Sequence, residues 1–192
     1  MTMSQLAILT NLYREGHRNY HDLTHIAQMF DMARVMKAKL SEVQTLAIWY
    51  HDAIYQPGRS DNESRSAYLA KEHLNGVLEE KDLNLLETII MDTKDHIPST
   101  PESSLVLDLD MSILGANPDS YKIYMKLIRK EYASVPYNKY VMGRSMVLED
   151  FLAKAKRGAL YFELGEVLND HAISNINIEL ELLKNHNDLL IH

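Results

Sequence analysis

Residues 49 to 55, WYHDAIY, set His51 and Asp52 side by side among Trp, Tyr, Ala and Ile. Neither side chain belongs there on hydrophobic grounds. Burying a neutral polar group without a partner costs about 2 to 7 kcal/mol, and an ion costs more. Partners must therefore come from elsewhere in the chain. Upstream, GHRNYHDLTHIAQMF spaces His17, His21 and His25 four residues apart, so those within a helix project from one face. His25 is the deepest of the three, because Ile26, Met29 and Phe30 follow it. Downstream, LVLDLDMSILG carries Asp108 and Asp110 inside an apolar run, where carboxylates are almost never found alone. A shared cation accounts for all three oddities. One imidazole, an adjacent His-Asp pair and an aspartate from a later helix make a mixed nitrogen and oxygen site of the kind that suits Mn, Fe, Ni, Zn or Mg. With no cysteine in the chain, thiolate ligands, disulfides and a cysteine nucleophile are all excluded.

The elements that must position these residues read as helices throughout. Apolar residues recur at helical spacing, as in Ile26, Met29, Phe30, Ala33 and Met36, or Leu83, Leu86, Ile89 and Ile90, and alternation of period two is scarce. The pattern predicts an all-α protein with helices near 4–15, 20–39, 42–56, 62–75, 80–94, 105–115, 118–133, 138–156 and 160–184. Between them lies a polar loop, DHIPSTPESS at 95–104. The 192 residues fit one domain, 1–192, with its core over about 10–180 and a frayed tail at 185–192. No stretch resembles a signal peptide or approaches the ~20 apolar residues of a membrane span, so a soluble, cytoplasmic protein is expected. The excess of 27 acidic over 20 basic residues, a net charge of -7, disfavours binding along extended nucleic acid.

The series His25, then His51-Asp52, then Asp110 before MSILG resembles the H…HD…D signature of the HD superfamily of metal-dependent phosphohydrolases. RNYHDLTH, HDAIY, DNESRSA, TKDH, LDLDMSILG, YKIYMKLIRKEYASV and GRSMVLEDFL together resemble the small stand-alone bacterial HD proteins, over about residues 10 to 180. The resemblance implies a single HD-domain helical bundle. It assigns the metal to His25, His51, Asp52 and Asp110, and leaves Asp108 as an orienting neighbour. It also implies hydrolysis of a phosphate ester of a small molecule, a nucleotide being the expected class, by water activated on the divalent metal. Asp52 would take part in proton transfer, with His21 and Glu63 as further catalytic candidates.

An anionic substrate needs cations beyond the metal, and Arg18, Lys126, Arg129 and Arg144 stand in the resembling stretches, with His96 as a further contact. Asp61, Asn62 and Glu63 also read as the start of a helix. His17 and His73 carry weaker signals, and His171, His186 and His192 lie outside every motif. No Gly-x-Ser-x-Gly elbow, Walker-type loop, His-Glu-x-x-His helix or glycine-rich dinucleotide turn competes with the metal. Guanosine tetraphosphate hydrolysis fits poorly, because Tyr55 and Gln56 stand where such enzymes carry an acidic pair. Ile173 departs from the arginine expected in the C-terminal pattern. A non-catalytic HD module that binds a nucleotide or a partner protein is the alternative.

Overall fold

A computed structural model describes residues 1–185; the expected tail at 185–192 falls, from 186 on, outside the described residues. The protein is all-α. Among the described residues there are nine α-helices, one 3-10 helix and no strand. None of these helices is long and apolar enough to cross a membrane. The described residues gather into two compact units, divided after Asp110.

The first unit holds α1 (Met3–Leu12), α2 (Leu23–Val35), α3 (Glu42–Tyr50), α4 (Asn62–Leu74), α5 (Glu80–Asp92) and α6 (Pro101–Asp110). Local chemistry sets several of their starts. Ser41 and Gln44 form a capping box before α3, and Pro101, which lacks the N–H that a first turn leaves unused, opens α6. Asp22 accepts from the Thr24 amide at 2.7 Å and starts α2 at Leu23, three residues later than the periodicity suggested. Helix α3 is apolar almost all round, with Val43, Leu46, Ala47, Ile48 and Tyr50 buried, as a central helix must be. It packs on α5 through a core that includes Leu86, Ile89 and Ile90, and it also meets α2 and α6. The helices expected to carry ligands are therefore mutual neighbours.

The second unit begins with a 3-10 helix over Met111–Gly115, followed by α7 (Pro118–Glu131), α8 (Tyr137–Lys156) and α9 (Gly165–Lys184). Leu168, Ala172, Ile176, Leu180 and Leu183 form the buried stripe of α9. That helix packs against the 3-10 helix, α7 and α8. Asn175 donates to the Leu114 and Ala116 carbonyls at 2.9 and 2.8 Å, completing the end of the 3-10 turn. Gly115 lets the two backbones meet, since a Cβ there would lie 2.6 Å from Leu168 Cβ and 2.7 Å from its carbonyl oxygen.

Gly115→Ala should therefore destabilise the protein by about 1 to 3 kcal/mol, the usual cost of an overpacked core. In contrast, a Cβ at Gly143 inside α8 meets nothing within 4 Å, so Gly143→Ala should stabilise by about 0.5 to 1 kcal/mol. Denaturant titration of both variants checks the pair; equal midpoints would contradict the packing described.

Candidate metal centre

Three helix ends bring the polar residues of the apolar runs together. His25 lies in the first turn of α2, His51 caps the C-terminus of α3 with Asp52 in the turn beyond it, and Asp110 is the last residue of α6. His25 Nε2 and His51 Nε2 face each other at 3.3 Å. Asp110 Oδ1 is 3.1 Å from His25 Nε2 and 3.7 Å from His51 Nε2, and Asp52 Oδ2 is 3.2 Å from His51 Nε2. His25, His51 and Asp52 offer ligand atoms that all lie within 4.8 Å of one another. Adjacent ligand atoms about 2.0 to 2.1 Å from an octahedral or tetrahedral ion stand roughly 2.8 to 3.4 Å apart. Most of these separations fall in that range.

The tautomer of His51 sharpens the fit. Its Nδ1 lies 3.0 Å from the Ile48 carbonyl oxygen, which can only accept, so Nδ1 carries the hydrogen. A neutral His51 then presents a bare lone pair at Nε2 to His25 and to two carboxylates. Acceptors facing acceptors in a buried site repel, and either a proton or a metal cation must sit among them. The donor set thus fits a divalent ion of the imidazole and carboxylate-binding kind. Both imidazoles are buried while the two carboxylates remain 14 % exposed, which leaves the centre a side open to ligands.

Protonation follows the same electrostatics. Burial opposes a charge on His51, but the carboxylates of Asp52 and Asp110 outweigh it and hold its pKa well above the ordinary histidine value. For Asp52, burial is outweighed by His51, with His21 adding to the effect, and the pKa is lowered. Asp110 is likewise held well below the usual carboxylate range, against burial, by hydrogen bonds from His25, His51 and His96.

The end of α3 is held almost atom by atom. Its Ile48 carbonyl is taken by His51, the Trp49 carbonyl by the Tyr13 hydroxyl at 3.1 Å, and the Tyr50 carbonyl by the Ala53 amide. Arg18 donates to the Asp52 and Ala53 carbonyls at 2.7 and 2.9 Å. Beyond them Ser66 bonds both backbone groups of Ile54, His17 bonds the Tyr55 carbonyl, and Asn62 bonds both backbone groups of Gln56. Sequence reading missed the roles of Tyr13, Asn62 and Ser66. For the last two the signal was present: Asn62, Ser66, Ala70 and Leu74, each four residues apart, lie on the buried face of α4.

Several expected residues are placed differently. His17 and His21 do not share a helical face with His25, because both precede the Asp22 cap, as does Arg18. His21 instead stacks on Tyr55, with ring centroids 4.2 Å apart, and lies edge-on to His25 at 5.8 Å. Asp61 makes no capping bond; its carboxylate turns to Arg59 at 2.6 and 2.7 Å. Glu63 sits half-buried in the first turn of α4. His96 Nε2 reaches Asp110 Oδ2 at 3.2 Å from a left-handed backbone, φ 50°. Such a conformation persists where its surroundings fix it. Asp92 ties down the far end of the same loop, accepting from the Ser99 amide and from the hydroxyls of Ser99 and Ser103 at 2.5 to 2.7 Å.

Lys126 and Arg129 belong to α7 and Arg144 to α8, in the second unit. Arg144 donates to both oxygens of buried Glu179 and to the Tyr124 hydroxyl, so it is an internal partner rather than an uncommitted phosphate grip. Arg129 lies over the Tyr140 ring and donates to the Tyr132 carbonyl, yet its buried Nε has no hydrogen-bond partner among the described residues. No protein-family model, curated protein or solved structure matches this chain.

The raised pKa of His51 fixes a sign. In metal-free protein, the stability contributed by its charge is full below about pH 6.5 and is lost as pH rises through the folded value. The lowered pKa values of Asp52 and Asp110 contribute above about pH 4, and that part is lost as pH falls through their folded values. The chelator-treated protein should therefore lose Tm between pH 6.5 and 9, and His51→Gln should flatten that decline. A parent Tm that stays level or rises over this interval would contradict the assignment.

Proposed function

We propose that this protein is a metal-dependent phosphohydrolase of the HD type, with a divalent ion held by His25, His51, Asp52 and Asp110. The observation that carries this reading is the convergence of two imidazole Nε2 atoms and two carboxylates, with the His51 tautomer fixed by the Ile48 carbonyl. The preference for a phosphate ester, with a nucleotide as the expected class, rests on the H…HD…D resemblance. When bound, the ion would polarise a phosphoryl oxygen and lower the pKa of water beside it.

The chain's own residues do the rest. Asp52, whose carboxylate stands on the open side of the centre, would take the proton that the attacking water gives up. His51 is kept in register by Ile48, and His25 by the first turn of α2, so neither must reorganise as charge develops. His96, anchored on Asp110 Oδ2, stands as a contact for substrate oxygens. His21 and Glu63 are the remaining candidates for proton transfer. Among the basic residues, Arg18 and Arg144 are largely committed to partners within the protein.

Hydrolysis of an aryl phosphate and of a nucleotide panel should be abolished by a chelator and restored by Mn, Fe, Ni, Zn or Mg. Asp110→Ala should lower kcat/KM for the best substrate by at least about 100-fold, the scale of losing an electrostatic stabiliser. Chelator-resistant turnover that survives Asp110→Ala would overturn the mechanism. Saturable metal and nucleotide binding without turnover of any substrate would favour the non-catalytic module instead.

A further inference from the structure

We propose that Arg18 is the positioning residue of the metal centre, a buried clamp that fixes the turn carrying Asp52 against the segment leading into α2. This inference rests on the metal reading above and assigns Arg18 to the main chain instead of to the substrate. Its side chain is fully buried. Nη1 donates to the His21 carbonyl at 3.0 Å and to the Asp52 carbonyl at 2.7 Å, Nη2 donates to the Ala53 carbonyl at 2.9 Å, and Nε donates to Glu15 at 3.2 Å. Four of the five N–H donors are thereby used, three of them on backbone oxygens that belong to two different segments.

The placement has a physical logic. The C-terminus of α3 is the negative end of its dipole and leaves carbonyls without helical partners. A permanent cation there pairs with those carbonyls through charge-assisted bonds. The rings of Tyr13 and Tyr55, with centroids 5.0 and 5.6 Å from the guanidinium carbon, cover it. Tyr13 holds the Trp49 carbonyl of the same turn and Tyr55 stacks on His21, so the clamp is itself locked. Because Asp52 Oδ2 stands 3.2 Å from His51 Nε2, the backbone of Asp52 must be held to a fraction of an ångström for both to face one ion. A lysine cannot substitute, since one ammonium nitrogen does not span three carbonyls fixed by a planar fork.

The test uses Co(II) as both ligand and spectroscopic probe on the full-length, chelator-stripped protein. Arg18→Ala should weaken Co(II) binding by about 10- to 100-fold, the usual cost of removing an outer partner of a metal ligand, and should change the visible d–d spectrum. Millimolar guanidinium should restore affinity to Arg18→Ala. Arg18→Lys, which keeps charge and most of the stem, should remain impaired. Leu86→Ala, a core truncation on α5, supplies a destabilised control that should bind Co(II) with the parental affinity and spectrum. Folding of each protein is checked by circular dichroism at the binding temperature. Parental affinity and spectrum in both Arg18 variants would overturn the clamp while leaving the metal reading intact. A parent that binds no Co(II) would instead overturn the metal reading itself, and the clamp with it.

Discussion

The structure turns on one lone pair. His51 spends its Nδ1 hydrogen on the Ile48 carbonyl, so its Nε2 faces His25, Asp52 and Asp110 with nothing of its own to donate. That arrangement is tolerable in a buried place only if positive charge is added, as a proton or a metal ion. The electrostatics of the metal-free protein take the first course and charge the imidazole. A divalent ion would take the second and release the proton, which couples binding to pH.

Around that point the fold uses helix ends, where backbone and side chains leave the regular lattice and can turn toward a common centre. The first turn of α2, the C-cap of α3 and the last residue of α6 each deliver one side of the site. The turn after α3 has little helical hydrogen bonding to stiffen it, and side chains supply what is missing: Tyr13 and Arg18 from the α1–α2 connection, Asn62 and Ser66 from α4. Asp92 does the same for the loop that carries His96. Rigidity here comes from side chain to main chain bonds, many of them buried, which are costly to lose.

Much of this was legible in the sequence because polar residues stranded in apolar runs announce themselves. His25, His51, Asp52 and Asp110 stood out for that reason, and the structure brings all four together. Helical periodicity likewise located all nine α-helices among the described residues, though the one expected at 105–115 starts at Pro101, inside the segment read as a polar loop, and gives way to a 3-10 helix after Asp110, and the one expected at 160–184 begins only at Gly165. The clamp was not legible. An arginine ahead of a histidine-rich segment looks like an anion contact, and only the Asp22 cap, which keeps Arg18 out of the helix, turns it toward carbonyls. Arg144 was obscured for a related reason: its partner Glu179 lies 35 residues away and reads as an ordinary helical surface charge until α9 is seen to bury it. Local spacing predicts which residues share a helical face, but it carries no information on such distant pairings.

The most direct test of the account is calorimetric titration of the chelator-stripped protein with Zn²⁺ or Mn²⁺ at neutral pH, repeated in buffers of different ionisation enthalpy. Saturable binding near one equivalent is expected, with about one proton released as the ion replaces the hydrogen on His51 Nε2, and loss of that proton release in His51→Gln. Absence of saturable binding, or an identical titration in His51→Gln, would contradict it.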